Sequence, residues 1–281
     1  MAEARLAGEM TIGEAVASGC RCLAAAGCET PRLDAELLLG EVLGVGRDRL
    51  IMDRAEVLAE PVHERFRSLL ARRQAREPVA YILGRRGFRH LTLAVDRRVL
   101  IPRPETELLV EVALSLPTGA RVIDVGTGSG AVALAVADER PDLSVRGVDI
   151  DPGALAVARA NAVRLDLKVD LARADLLDGE PSDAILANLP YVPAGAGLAP
   201  EIARWEPPGA LFAGEDGLDL IRRLIAAVAT LGAAAPALLA LELGPEQASE
   251  VADLVARAGF ARVECLADLA GLDRVVVGRR S

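Results

Sequence analysis

The sequence is poor in aromatic residues, 2% overall with one tryptophan and two tyrosines, and it contains a single lysine, Lys168. So few rings argue against a protein that grips nucleic acid by stacking successive bases. The scarcity of lysine beside abundant alanine, glycine and arginine reads as a coding bias rather than a functional one. His63 and His90 are the only histidines. The four cysteines, Cys20, Cys22, Cys28 and Cys265, form no Cys-x-x-Cys pair, so no zinc set is legible and no metal is expected. Reduced thiols in a cytoplasmic protein are the simplest account. No stretch of about eighteen uncharged apolar residues is available to cross a membrane. Met1 to Met10 carries acidic residues and no apolar run, which does not suit a signal peptide.

What is present is a chain of 281 residues, 52% hydrophobic and 26% charged, enough for one large or two ordinary folded domains. Its formal net charge of -9 is unevenly spread. Residues 1–104 hold 17 basic and 14 acidic side chains, whereas residues 105–281 hold 15 and 27. Between Arg65 and Arg103, eleven arginines face only Glu77 and Asp96. Such a stripe is either an ordinary solvated surface or a docking face for an acidic or RNA-bound partner.

The first eighty residues predict a small helical bundle. Thr11 and Glu14 have the spacing of a capping box, and Thr30-Pro31 is an N-cap followed by proline at the first helical position. Leu33, Leu37, Leu38 and Val42 recur at helical spacing before Gly44 and Gly46, and a further helix is expected over Pro61–Gln74. From Gly87 the period changes. Leu91, Leu93 and Val95 alternate, Asp96-Arg97-Arg98 reads as a turn, and Val99-Leu100-Ile101 reads as the second strand of a hairpin. Pro102 and Pro104 make the next segment an extended connector, followed by a helix from about Glu105 to Leu116.

Beyond it, strands alternate with helices. Strands are expected at Arg121–Val125, Ser144–Asp149, Ala184–Ala187 and Ala237–Leu243, with a last pair at Ala261–Leu266 and Asp273–Val277. Helices are expected near Ala131–Glu139, Pro152–Val163, Leu218–Leu231 and Glu246–Ala258. Repeated βαβ units imply a mainly parallel sheet covered on both faces, with ligands at the carboxyl ends of its strands. The domains are then 1–84, helical; 85–104, a hairpin connector; and 105–281, an α/β domain.

Val122-Ile-Asp-Val-Gly-Thr-Gly-Ser-Gly130 runs from a strand into a glycine turn and then a helix. Gly126, Thr127, Gly128, Ser129 and Gly130 would let the backbone approach a ligand closely. Asp149 ends the next strand, where a carboxylate can accept from both hydroxyls of a ribose. Asp124, immediately before the glycines, would repel a pyrophosphate but could accept from an ammonium group. Asp175 could meet an adenine amino group, and Leu176 could pack against the ring. Acids at the ends of three successive strands favour S-adenosylmethionine over a dinucleotide.

Asn188-Leu-Pro-Tyr191 follows an apolar strand, where chemistry belongs in this architecture. An amide nitrogen is a weak nucleophile because its lone pair is delocalised, so its N–H groups must be oriented. The Asn188 side-chain oxygen and the Leu189 carbonyl are suited to accept from them, with Pro190 stiffening the turn and Tyr191 packing on the flat group.

With these residues in order, the chain closely resembles the bacterial peptide chain release factor glutamine methyltransferases. The resemblance includes Glu77-Pro-Val-Ala-Tyr-Ile-Leu-Gly84, Leu100-Ile-Pro-Arg-Pro-Glu-Thr-Glu107 and the glycine loop. It continues through Trp205-Glu-Pro-Pro-Gly-Ala-Leu211, Gly214-Glu-Asp-Gly-Leu218, Leu241-Glu-Leu-Gly244 with Gln247, and Asp268-Leu-Ala-Gly-Leu-Asp-Arg274. It implies a class I S-adenosylmethionine-dependent methyltransferase fold, Rossmann-like, with an N-terminal helical substrate-docking bundle. It also implies methylation of the glutamine amide in the Gly-Gly-Gln motif of class 1 release factors, with S-adenosylhomocysteine as product. Arg103 and Thr106 are then expected at the cofactor pocket, and Trp205, Glu206 and Pro207 at the glutamine entrance. One position departs from the family's usual Asn-Pro-Pro-Tyr: Leu189 stands where the second residue is proline. Only its backbone carbonyl is needed, so activity is expected to survive at a cost on the order of 1 kcal/mol. A monomer that acts without direct nucleic-acid contact is expected. The rivals are a ribosomal-protein glutamine methyltransferase, an adenine-N6 nucleic-acid methyltransferase, and a non-catalytic cofactor-binding module. Base flipping would ask for a basic groove and aromatic wedges that this acidic, ring-poor half lacks.

Overall fold

The computed structural model describes residues Met10 to Arg280, so the leader question at Met1 to Met10 lies almost wholly outside the described residues. The chain divides into two compact units. One comprises the chain up to Gly84 together with Ala199–Trp205; the other comprises Arg85–Leu198 and the chain from Glu206 onward.

The first unit is helical: α1 (Ile12–Ala25), α2 (Pro31–Leu43), α3 (Arg47–Met52), α4 (Glu60–Gln74) and α5 (Val79–Leu83). The capping box of α1 is present, with the Glu14 amide donating to the Thr11 hydroxyl and the Glu14 carboxylate accepting from the Thr11 amide. Thr30 precedes α2, but its hydroxyl donates to Asp34 instead of capping the backbone. Leu23, Ala35, Leu38, Leu39 and Phe66 form the core. Gly19 lets α1 approach that core; a Cβ there would sit 3.1 Å from the Phe66 ring.

Three arginines of the basic stripe have carboxylate partners within this unit. Arg73 is only 5% exposed and pairs with Asp34 at 2.7 Å and Glu201 at 2.9 Å. Arg76 pairs with Glu201 at 2.6 Å, and Arg72 with Glu77 at 2.6 Å. Burial raises the Glu201 pKa, but Arg76 and Arg73 more than offset it and hold the carboxyl at about 2. Glu201 lies on α9 (Pro200–Trp205), a short helix that periodicity did not reveal and that belongs to this unit despite its place in the chain. Arg73 and Arg76 are thereby committed to carboxylates inside this unit, whereas Arg72 pairs with Glu77 and stays exposed.

The second unit opens with the hairpin of β1 (Arg85–Phe88) and β2 (Leu91–Ala94), joined at Arg89-His90. The expected pairing of 91–95 with 99–101 is therefore wrong by one strand. The segment Arg85-Arg-Gly-Phe88 carries too much charge and a glycine to read as a strand, and only Phe88 of the four is buried. Residues 99–103 belong to no strand of either sheet. A single 3-10 turn at Pro104–Thr106 then leads into α6 (Glu107–Leu114).

The large sheet contains β3 (Arg121–Val125), β4 (Ser144–Asp149), β5 (Asp170–Arg173), β6 (Ala184–Ala187), β7 (Leu238–Glu242), β8 (Arg262–Ala267) and β9 (Asp273–Arg279). Their order is β5-β4-β3-β6-β7-β9-β8, with β9 antiparallel to both neighbours and the rest parallel. Strand β5 has no fully buried residue, with Asp170 and Arg173 exposed, so no apolar run announced it. Val122, Leu186, Ala240 and Val277 face α6 and α7 (Ala131–Glu139). Ile123, Ile185, Leu239 and Val276 face α10 (Asp219–Thr230) and α11 (Ala248–Arg257). Since β4 and β6 flank β3 on opposite sides, the chain reverses direction across the sheet there, which opens a crevice at the carboxyl ends of these strands.

Candidate active site

That crevice holds a cavity of about 320 Å³, lined by residues of the second unit alone. Asp124, Gly126, Thr127, Gly128, Ser129, Asp149, Asp175, Leu176, Asn188, Leu189, Pro190 and Pro207 all line it. So do Val99, Leu100, Pro102 and Thr106 from the connector, and Ile150, Gly209, Ala210 and Arg223, which the sequence reading did not single out.

The glycine loop is built on backbone geometry. Gly126, Gly128 and Gly130 adopt φ of +74°, +57° and +83°, the left-handed region that side chains resist. The amides of Gly126 and Thr127 donate to the Val148 carbonyl at 2.9 and 3.0 Å, and that of Gly128 donates to Asp149 at 2.9 Å. Gly130 caps α7 and does not line the cavity; a Cβ on it would lie 2.9 Å from Leu134. Behind the loop, fully buried Asn161 of α8 (Pro152–Leu165) donates to the Ser129 carbonyl at 3.0 Å and exchanges hydrogen bonds with the backbone of Ala94. It ties the hairpin to the loop, a long-range role with no sequence signature.

The carboxylates differ in environment. Asp124 is 2% exposed, and burial pushes its carboxyl up to about 6. The Thr127 hydroxyl at 2.6 Å and the Ala133 amide at 3.2 Å oppose the rise, while the nearby Asp149 adds to it. An opposite charge beside this carboxyl would favour its charged form. Asp149 is also raised by burial, and its oxygens accept from the Gly128 and Asp151 amides. Asp175 is exposed and pairs with Arg223 at 2.8 Å. Leu176 takes φ +69°, an uncommon conformation for a non-glycine residue, at the rim of the cavity.

At the end of β6 the Asn188 amide donates to the Thr106 hydroxyl at 2.9 Å. Leu189 is buried, with its side chain under the glycine loop near Gly126. Tyr191 does not line the cavity. Its hydroxyl reaches Glu242 at 3.4 Å, and burial pushes its phenol up to about 12. Its carbonyl accepts from Gln247 at 3.0 Å and abuts Gly217, where any Cβ would collide at 2.1 Å. The Gly214–Leu218 and Gln247 segments thus fasten the tetrapeptide.

Besides Gly130 and Tyr191, three further expected site residues lie elsewhere. Arg103, Trp205 and Glu206 do not line the cavity. Buried Glu206 accepts from the Ile101 amide at 3.0 Å and from Arg103 at 2.5 Å, so that pair braces the connector. Trp205 belongs to the helical unit. Glu242, which the sequence reading quoted but gave no role, ends β7 at 1% exposure, and burial pushes its carboxyl up to about 7. Among the described residues no group of three His, Cys, Asp or Glu side chains could hold a metal.

Comparison with known proteins is consistent with this geometry. Residues 14–84 match the family described as PrmC N-terminal domain, and residues 104–203 match the methyltransferase small domain. A release factor glutamine methyltransferase of Rhodospirillum rubrum is 40% identical over 282 residues, covering 96% of this chain and 86% of that protein. One of Neisseria gonorrhoeae is 44% identical, covering 89% of this chain and 93% of that protein. Among solved structures, a human Mettl16 catalytic domain in complex with a 3′UTR hairpin aligns with a TM-score of 0.56 at 14% identity, over 80% of this chain and 85% of that one. That likeness speaks to the fold alone.

Proposed function

The chain belongs to the release factor glutamine methyltransferase family, and from that premise we propose that it transfers a methyl group from S-adenosylmethionine to the side-chain amide of a release-factor glutamine. The glutamine is that of the Gly-Gly-Gln motif in class 1 factors, and methylation there modulates termination in the cytoplasm. The observation that carries the reading is that Asn188, Leu189 and Pro190 line the same cavity as Asp124, the glycine loop and Asp149. Among the described residues no helix is long and apolar enough to cross a membrane.

The residues fit the cofactor. Asp124 offers a buried anion with no cation opposite it, the glycine loop gives close backbone approach, and Asp149 stands at the end of the next strand. S-adenosylmethionine, when bound, supplies a methyl group on a positively charged sulfur. Asn188 Oδ1 and the Leu189 carbonyl accept the two N–H groups of the glutamine amide and aim its lone pair at that carbon. The nitrogen–carbon bond forms as the carbon–sulfur bond breaks, and the sulfur keeps the electron pair. The excess proton leaves the methylated nitrogen for water, so no side chain is assigned as base. Rate comes from orientation and exclusion of water.

Asn188→Ala is expected to abolish methylation of a release factor while S-adenosylhomocysteine still binds. Labelled cofactor incubated with the factor, with the same factor changed at its Gly-Gly-Gln glutamine, with ribosomal proteins and with DNA tests the reading. Label on the second, third or fourth instead of the first would overturn it.

A further inference from the structure

Glu242 and Thr106 have no part in the reading above, yet they stand directly behind Asn188. An amide's oxygen and nitrogen ends are nearly the same size, so a neighbouring partner decides which end faces which way. Thr106 is that partner: it is 3% exposed, and its hydroxyl accepts from Asn188 Nδ2 at 2.9 Å. A hydroxyl has one proton to give. Near it lies the Glu242 carboxylate, whose Oε1 accepts from the Tyr191 hydroxyl at 3.4 Å and whose charged form the Thr106 hydroxyl also favours. Glu242 Oε2 is buried and has no hydrogen-bond partner among the described residues. A carboxylate can only accept. The Thr106 oxygen already accepts from Asn188 Nδ2, so its proton is free to turn toward that unsatisfied oxygen.

We propose that Glu242, acting through the Thr106 hydroxyl, fixes the orientation of the Asn188 amide so that Oδ1 faces the substrate glutamine. Both are positioning residues. The inference rests on the reading of Asn188 as the acceptor for the substrate amide. When Glu242 is protonated the logic reverses. Its own O–H donates to Thr106, the Thr106 proton turns to Asn188, and the amide presents N–H donors to a substrate that also presents N–H donors.

The groups facing Glu242 are Glu105 and Thr106 from the 3-10 turn, Tyr191 from the loop after β6, and Arg274 from β9. Burial and Glu105 raise its pKa, whereas Thr106, Tyr191 and Arg274 lower it, and the balance lies at about 7. Arg274 is itself paired with Asp268 at 2.8 Å, which limits its help.

The test uses the full-length protein, S-adenosylmethionine and a release factor at saturation. Wild-type kcat should rise with pH through about 7 and then level. Thr106→Val should lower kcat on the order of 100-fold, as misorientation of a positioning group does. S-adenosylhomocysteine affinity, measured alongside because Thr106 also lines the cavity, should fall far less than kcat. Thr106→Ser should restore most of the rate. Glu242→Gln, which can both donate and accept, should lower kcat and flatten the pH profile. Thr106→Val with wild-type kcat, or Glu242→Gln with the wild-type pH rise, would overturn the inference. If Glu242→Gln does not fold by circular dichroism, the Thr106 pair decides alone. An inactive Asn188→Ala beside wild-type-like Thr106 and Glu242 variants removes only this inference, whereas an active Asn188→Ala removes the underlying reading.

Discussion

A carboxylate buried without a cation costs stability and is kept where a cation will arrive. Asp124 carries its proton up to about pH 6 because burial outweighs its hydrogen bonds from Thr127 and Ala133. A bound ammonium or sulfonium favours the charged form and lowers that value. Binding below pH 6 must then expel a proton, so cofactor affinity should fall as pH drops through about 6 and stay flat above it. Calorimetric titration with S-adenosylmethionine across that range checks this, and Asp124→Asn should remove the slope along with much of the affinity. A slope that persists in Asp124→Asn would assign it to another group, with Asp149 the next candidate. Asp124 was legible in the sequence because it sits two residues before Gly126, the first glycine of the loop. Glu242 was not: in Leu241-Glu-Leu-Gly244 nothing distinguishes a buried acid from one pointing to solvent, since its burial is set by Thr106 and Tyr191 from distant segments.

At the level of elements, the sequence was readable wherever one residue type forces a local geometry. Thr11 with Glu14, the glycines at positive φ and the strands β3, β6 and β7, buried except at Arg121, were placed within a residue or two. It failed where pairing depends on partners far away, as for β1, β5 and α9. The α9 case has an energetic consequence. Its Glu201 and the Asp34 of α2 share Arg73, so neutralising that arginine leaves buried Asp34 without its partner. Arg73→Met should destabilise the helical unit by about 3–5 kcal/mol. Urea unfolding followed by circular dichroism measures this; a loss below about 1 kcal/mol would mean that solvent reaches Asp34 and screens it as it does surface pairs.

On the scale of the whole molecule, the question is what remains of the +9 excess once its internal partners are counted. With a single lysine, nearly all positive charge is carried by guanidinium groups, whose planar fork suits bidentate pairing with carboxylates. Arg72, Arg76, Arg89 and Arg98 each hold one carboxylate with two nitrogens, on Glu77, Glu201, Glu139 and Asp96, whereas Arg103 meets Glu206 through one nitrogen and Arg73 divides between Asp34 and Glu201. In the helical unit this leaves exposed Arg65 and Arg67 on α4, with Arg67 beside an open groove against α1. If that unit docks an acidic protein surface, these two arginines carry the electrostatic share. The double variant Arg65→Glu, Arg67→Glu should raise KM for the release factor several-fold, with kcat and the cofactor KM unchanged. The wild-type KM should climb with salt as the Debye length shrinks from about 10 Å at 0.1 M, and the variant's should not. Equal KM values at low salt would mean that the arginine-rich stretch serves the fold alone, and that recognition of the substrate protein lies with the uncharged surface around the cavity.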